Sequence, residues 1–428
     1  MRRSLLQRGE TNVSTTQPDL VIVGGGIAGA ALAIVARRSG LDVQIVERTA
    51  RFHDRIRGET IHPWGVTFMR KLDLLDLAEN GAKAQRQEYW QTIRNREVQT
   101  PSRWADHFPD APYGLGFSHV ELQDAFLAEA QRLGAVIWRP ATATPMRDDN
   151  DQIVVQISRT GATTSLYPRL LVGADGANSA TRTWLGGERH DDPVHHALGG
   201  VLTRGLGLAS DRIHQAFIDG GFAFVSPMSD DRARVYLVVA TDRADALQRD
   251  VSTGDRIVEQ FLAATPEDYT SGSWEVIGPA GFFPNATGSV TIPPTDDVVL
   301  IGDASGRNDP SQGHGLSLAF HDVAVLSDLL ATLPWPEVPD AFHQRKAAVF
   351  ETLRQHAHWN ERQATETGPE IDVLKERIRR AREIDPTAAG FAGIFATGPM
   401  GLTADDAARR AYLGEDLPDP ATAVMTGL

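Results

Sequence analysis

Asp19-Leu-Val-Ile-Val-Gly-Gly-Gly-Ile-Ala-Gly-Ala-Ala-Leu-Ala-Ile-Val-Ala-Arg37 is the stretch whose reading decides the fold. An apolar run rich in β-branched residues breaks at consecutive glycines and resumes with helical spacing, so it reads as buried strand, tight turn and helix. Gly24 permits the turn, Gly26 lets a pyrophosphate approach the backbone, and Gly29 lets the helix pack closely on the strand. The free N–H groups of the helix start, at Ile27 and Ala28, then face the phosphates along with the positive end of the helix dipole. A second strand, Asp42 to Val46, delivers Glu47, a carboxylate placed to accept hydrogen bonds from an adenosine ribose. Strand, turn, helix, second strand and acid in that order predict a dinucleotide site in a Rossmann-like α/β domain.

The chain of 428 residues is 41% hydrophobic and 23% charged, the composition of a globular protein with room for two or three domains. Its formal charge of −14 argues against nucleic acid or an anionic membrane as partner. There is no cysteine, which excludes disulfides, thiolate metal sites and cysteine nucleophiles and fits a cytoplasmic location. Met1 to Gln17 carries Arg2, Arg3 and Arg8 without an apolar core and reads as a flexible leader. The most apolar run, Leu20 to Ala36, is already explained by strand, turn and helix, so no membrane span is expected. His195-His196 and His356-x-His358 lack partners at a metal-binding spacing, and no metal is expected.

After Glu47, Arg48-Thr-Ala-Arg51 leads into Arg55-Ile-Arg-Gly-Glu-Thr-Ile-His-Pro-Trp-Gly65, where two arginines beside a glycine suit either a phosphate contact or a solvated loop. Val66 to Asn80 reads as an amphipathic helix, and Ser118 to Leu133 as another, capped by Ser118 with Glu121 three residues on. The aromatic segment between them, with Tyr89, Trp90, Trp104, Phe108, Tyr113 and Phe117, serves either core packing or the roof of a pocket. Ala135 to Trp138, Ile153 to Ser158 and Thr164 to Tyr167 read as short strands, and Leu170 starts a buried strand that delivers Asp175-Gly176 at a turn. From about His190 to Ile292 the alternation predicts a mostly antiparallel sheet with a helix, Asp255 to Ala264, beside it. Asp297 opens another buried strand, ending at Gly302-Asp303. The loop Gly306 to Gly315 follows, with backbone donors at the start of a helix from Leu316 to Leu330, an arrangement suited to an anion or an electron-rich heterocycle. Asp340 to Ala364 predicts one long helix.

Gly24-x-Gly26-x-x-Gly29, Asp175-Gly176, and Gly302-Asp303 followed by Pro310-x-x-Gly313-x-Gly315 stand in an order that resembles the p-hydroxybenzoate hydroxylase-like flavoprotein monooxygenases over residues 18 to 360. The resemblance implies FAD held without a covalent link, in a Rossmann-like domain formed by residues 18–189 and 293–335. A mostly antiparallel substrate domain is inserted at 190–292, further substrate-side pieces lie between 66 and 117, and a helical C-terminal region spans 336–428. Glu47 would hold the adenosine ribose with Arg48 beside it, Asp303 the ribityl chain, and the loop Pro310, Gly313, His314, Gly315, Leu316 the flavin ring. Asp175-Gly176 would assist the pyrophosphate and NADPH or NADH, Arg57-Gly58 would lie near ribityl and pyrophosphate, and Gln123 would add a contact. His119 stands where many members of the family carry an arginine, and Ser317 where they carry an asparagine.

The implied activity is insertion of one oxygen atom from dioxygen into an apolar or aromatic small molecule, through a hydroperoxide of the reduced flavin. Phe222, Phe224, Met228 and Tyr236 are the expected pocket residues, and His314 is the candidate for tuning the ring or relaying a proton. Other readings share the fold: a double-bond reductase, a non-catalytic flavin-binding redox sensor, or a flavin-dependent halogenase. Gly58-Glu-Thr-Ile-His-Pro63 resembles a halogenase motif, but the lysine those enzymes need four residues after the proline is Thr67, and Phe222-Ala-Phe-Val-Ser-Pro227 lacks their tryptophans.

Overall fold

The computed structural model describes residues 17–384 and 391–417. The expected leader, apart from Gln17, and the last residues of the helical C-terminal region lie outside the described residues.

Leu20–Val23 pairs in parallel with Val43–Val46 on one side and Leu170–Gly173 on the other. Val298–Leu300 and Val136–Trp138 complete a five-stranded parallel sheet with Leu20–Val23 at its centre. Such a sheet must be covered on both faces, which is why its strands read as continuous apolar runs rather than alternating ones. On one face lie the helices Ile27–Arg38, His119–Arg132 and Gly315–Thr332. On the other, Ile153, Val155 and Ile157 of a three-stranded antiparallel sheet pack against Val21, Val46, Leu171 and Val298.

Gly315–Thr332 is long and apolar enough to cross a membrane, with a mean hydropathy of 1.3, yet 56% of it is buried inside the fold. It packs against Ile27–Arg38, Pro63–Lys71 and Val338–Thr365, the contacts of a core helix.

Between the last two strands of the parallel sheet the chain builds the large antiparallel sheet. His196–Arg204, Arg232–Ala240, Gly221–Pro227 and Arg212–Ile218 lie side by side in that order. The aromatic segment extends it, because Tyr89–Arg94 pairs in parallel with Arg212–Ile218. One face of this sheet packs on the helix Thr253–Ala263 through Val201, Val235, Leu237, Ile257 and Phe261. The other face bears Phe222, Phe224 and Tyr236.

One local expectation is corrected. The helix expected from Val66 to Asn80 is two pieces, Pro63–Lys71 and a π-helical turn Leu77–Gly81, separated where Asp73 takes φ 56°. Arg38 reaches across to the carbonyls of Leu72 and Asp73 at 3.3 and 2.9 Å and stabilises this break. Thr142–Arg147 is an edge strand of the three-stranded sheet, a position that tolerates the missing N–H of Pro145. The capped helix is observed as His119–Arg132, with Ser118 Oγ accepting the Glu121 N–H at 3.4 Å.

Candidate active site

The glycine turn is dictated by space. Gly24 has φ 108°, and a Cβ there would lie 2.3 Å from the Ala174 carbonyl oxygen; at Gly29 it would lie 2.1 Å from the Gly24 oxygen. Gly26 differs, since a Cβ on it would meet nothing nearer than Gln123 Nε2 at 3.8 Å, so its backbone borders open space. No side chain caps the helix that starts at Ile27 and no acid occupies its first turn, leaving its N–H groups to that space. Glu47 lies beside the turn: Oε2 accepts the Gly25 N–H at 2.9 Å, and Oε1 accepts Thr49 N–H and Oγ1–H at 2.7 and 2.6 Å. Arg48 is exposed.

From Gly26, Ile27 and Ala28 a cavity of about 440 Å³ extends past Arg57, Gly58, His119, Gln123 and Gly176 to Gly302 and Asp303, and on to Pro310, Gly313, Gly315 and Leu316. Residues from six separate segments of the chain thus face one space. Asp175 does not line it; its carboxylate accepts from Ser179 Oγ at 2.5 Å and from Thr181 N at 3.0 Å, and so caps the short helix Ala180–Trp184, leaving Gly176 to face the cavity. Arg182, which the sequence did not single out, ties this turn to the next by donating to Ala177 O at 2.9 Å and Ala304 O at 3.1 Å.

Asp303 opens onto the cavity but is walled in by protein, and burial raises its carboxyl above the usual range against the pull of Arg57. Burial in turn lowers Arg57, which leans on Asp303 for its charge. The turn before Asp303 is held by Asp322, whose Oδ2 accepts the Gly302 N–H at 2.8 Å and also pairs with Lys346. Burial works to raise Asp322, but Lys346 and His321 hold it below its ordinary value. Its signal in the sequence was an acid in the middle of a mostly apolar helix. His119 lines the cavity as a neutral ring: it contacts Gly58 O at 3.1 Å, and burial and Arg57 lower it to about 4.

The loop after Asp303 is held by a side-chain cap and turns at a glycine. Asp309 Oδ1 accepts the Ser311 N–H at 2.8 Å, and Gly313 sits at φ 68° where a Cβ would lie 2.8 Å from His62 Nε2. His314 faces neither this cavity nor its neighbour. It accepts from Trp64 Nε1 at 3.3 Å and stacks on Phe395 with centroids 5.0 Å apart; burial first, then His62 and His356, hold it far below its ordinary value. A direct contact between His314 and a bound ring is therefore not what this placement offers.

Whether the cavity suits FAD can be tested on its own groups. Asn308 lines it, is 7% exposed, and has neither amide atom partnered; Arg307 Nε is likewise without a partner. Buried polar atoms left this way cost free energy unless a ligand answers them. Together with the uncapped helix start and the open backbone at Gly26, they fit a phosphate-linked heterocycle.

A second cavity of about 230 Å³ adjoins the first, sharing Thr60, Phe224 and Gly313 as walls. Phe222, Phe217, Trp90, Trp104 and Phe395 make it predominantly aromatic, with His62, Gln215 and Ser311 among its polar groups. Of the expected pocket residues, Phe222 and Phe224 line this chamber. Tyr236, stacked on Phe224 at 4.5 Å, lines the first cavity, its hydroxyl donating to Arg57 O at 2.6 Å. Met228 is a correction: it follows the end of the strand Gly221–Pro227 and lines a separate cavity with Asp230, Asp231 and Arg232. Among the described residues no three histidine, aspartate or glutamate side chains converge as a metal site would require.

A parallel sheet whose strand ends present a dinucleotide turn, a buried carboxylate and a glycine-bearing loop, with an aromatic chamber alongside, defines a flavin-dependent oxidoreductase. Residues 17–352 match the family model described as FAD binding domain, and the chain belongs to that family, with the p-hydroxybenzoate hydroxylase-like FAD-dependent monooxygenases. Similar proteins include squalene monooxygenase of Rattus norvegicus, 26% identical over 413 residues, 92% of this chain and 69% of that protein. Another is 3-amino-4-hydroxybenzoate 2-monooxygenase PtnB3 of Streptomyces platensis, 29% identical over 419 residues, 91% of this chain and 99% of that protein. The fold is shared with aklavinone-11 hydroxylase, solved with FAD and aklavinone, at a TM-score of 0.67 and 19% identity over 82% of this chain and 70% of that one. It is shared also with the flavin-dependent halogenase CmlS, at a TM-score of 0.68 and 18% identity over 86% and 70%.

Proposed function

We propose that this monooxygenase acts on an apolar or aromatic small molecule held in the 230 Å³ chamber, with NADPH or NADH as electron donor and dioxygen as co-substrate. The observation that carries the reading is the shared wall of Thr60, Phe224 and Gly313, which sets an aromatic chamber directly against the ring-loop end of the cofactor cavity. FAD, when bound, supplies the redox and oxygen-activating chemistry. The chain's part is to hold, orient and dry. In this reading the backbone of Gly26, Ile27 and Ala28 receives the pyrophosphate, Glu47 and Arg48 stand at the adenosine end, and Arg57, Gly176 and Asp303 line the middle. The backbone of Pro310 to Leu316 carries the ring, leaving Phe222, Phe224, Trp90 and Phe395 to exclude water from the substrate. The division of the chain follows the same logic: parallel sheet for cofactor, antiparallel sheet for substrate.

An apolar cavity of about 150 Å³ is enough for benzene, so the chamber suits a substrate of one or two rings. That favours the aromatic type of substrate in the name of the Streptomyces platensis relative over the long polyene in the name of squalene monooxygenase. Halogenation is disfavoured by Thr67, which is exposed and donates to the Pro63 carbonyl at 3.2 Å rather than presenting an amine to the chamber.

The test begins with the visible spectrum of the purified protein and identification of the released chromophore. FAD release, followed by aromatic-stimulated oxidation of NADPH or NADH with labelled dioxygen appearing in the product, is the expected result. A protein that stays colourless in added FAD, or one whose stimulated turnover leaves no label in product, overturns the proposal.

A further inference from the structure

Outside the two cavities, a run of titratable side chains lies behind the ring loop and leads out of the chamber. Ser311 lines the chamber, and its Oγ lies 3.0 Å from His196 Nε2. His196 Nδ1 is 3.3 Å from His195 Nδ1, and His195 Nε2 is 3.2 Å from Glu366 Oε1. His196 has no exposed surface, whereas the side chains of His195 and Glu366 are 24% and 37% exposed. The contacts therefore run from chamber wall to solvent without a gap. Asn285 sets the pair of rings in place, its Oδ1 accepting the backbone N–H of His195 at 3.2 Å and of His196 at 3.0 Å.

With both rings neutral and Glu366 ionised, one arrangement of hydrogens satisfies the three contacts along the path. Ser311 Oγ–H donates to His196 Nε2, His196 Nδ1–H to His195 Nδ1, and His195 Nε2–H to the Glu366 carboxylate. A proton can then leave the chamber in concert. Ser311 passes its hydrogen to His196 Nε2 and takes another from a donor in the chamber, while His196 releases its Nδ1 proton to His195 Nδ1. The result is an imidazolium at His195 paired with Glu366 at the surface, and a neutral His196 whose Nε2–H faces Asp309 Oδ2 at 3.5 Å. One proton enters and one is held at the far end; the reverse sequence delivers a proton inward.

We infer that Ser311, His196, His195 and Glu366 form a proton path between the substrate chamber and solvent. Its use rests on the proposed function: RH + O2 + NAD(P)H + H+ gives ROH + NAD(P)+ + H2O, so each turnover consumes a proton in a chamber whose walls exclude water. Among the described residues, Asp309 and His195 face His196 with Glu361 also near it, Arg362 Nε lies 3.1 Å from Glu366 Oε2, and Lys375 Nζ donates to the Glu366 carbonyl at 3.0 Å. Burial, then the proximity of His195, hold His196 at about 4, so it passes a proton on without storing it.

The experiment uses the FAD-loaded protein, photoreduced without oxygen in the presence of a pH-indicator dye, and reads the rate of proton uptake rather than turnover. His195→Gln, at the exposed end, and His196→Gln should each slow uptake by about a hundredfold, the low end of what a positioned proton-transfer group contributes. Added imidazole should restore the His195→Gln protein, a rescue that a purely structural role would not produce. In the FAD-free protein, imidazole-nitrogen NMR should show His195→Gln raising the midpoint of His196. Unchanged uptake in a His195→Gln protein that retains FAD, or an unmoved His196 midpoint, overturns the path and leaves oxygen insertion standing. A wild-type protein that takes up no FAD overturns the proposed function, and the use of the path with it.

Discussion

Replacing Arg234 with methionine should lower stability by about 3–5 kcal/mol, the cost of breaking a buried ion pair from one side. Arg234 has no exposed surface and donates to both oxygens of Glu59, 2% exposed, and to Asp54 Oδ1 at 2.5 Å. Each charged hydrogen bond of this kind is worth about 1.5–3 kcal/mol, and methionine answers none of them. Burial already raises the Glu59 carboxyl, with Arg234 its main opponent, so in the variant Glu59 should take up a proton. A carboxyl raised in the folded state gives stability that is present at low pH and lost as pH rises through its folded value. The deficit of the variant should therefore be smaller at about pH 5 than at about pH 8. FAD affinity should follow on the proposed reading, because Asp54 and Glu59 bracket Arg57 and Gly58, which line the 440 Å³ cavity. Urea unfolding at the two pH values and a fluorescence titration with FAD would measure both effects. A loss under about 1 kcal/mol, or a deficit that does not grow with pH, would refute the account.

Other outcomes follow from the same geometry. Gly29→Ala places a methyl 2.1 Å from the Gly24 carbonyl oxygen; the protein should lose about 1–3 kcal/mol and release its FAD during gel filtration, and full retention would contradict the packing role of that glycine. His62, His119, His196, His214, His343 and His356 are each lowered to about 4, chiefly by burial. Groups depressed in this way stabilise the fold above their unfolded value of about 6.5 and lose that contribution as pH falls toward the folded value. Melting temperature should thus drop steeply across that window, with Asp309, raised to about 6 by burial, acting in the opposite sense; a flat profile would contradict the neutral buried rings. Phe224→Ala removes a wall common to both cavities, so NADPH or NADH oxidation should lose its coupling to product and yield hydrogen peroxide, measured by a peroxidase-linked assay. Tight coupling in that variant would show that the wall is not what keeps the chamber dry.

What was legible in the sequence is what the backbone alone enforces. Gly24 and Gly29 cannot carry a Cβ, so the turn is written in glycines a few residues apart. The capped helix was readable because Ser118 and Glu121 are neighbours. The break at Asp73 was not, since the arginine that stabilises it comes from another helix. Met228 was misplaced because alternation gives the face of a strand but not where the strand ends. The proton path was beyond reach for a similar reason: Ser311 and His196 are 115 positions apart and His195 and Glu366 171 apart, and no local pattern marks side chains that only the fold brings together.

The two cavities are built from different materials. The loop end of the 440 Å³ cavity is lined by Pro310, Gly313, Gly315 and Leu316, while the chamber is shaped by rings on Phe222, Phe217, Trp90, Trp104 and Phe395. The first can stay constant under wide drift in sequence, provided its glycines persist, and the second can be repainted one residue at a time. A library confined to those five aromatic positions would therefore explore new substrates without wagering the cofactor, and Phe224, standing in both walls, would be the one residue to leave alone.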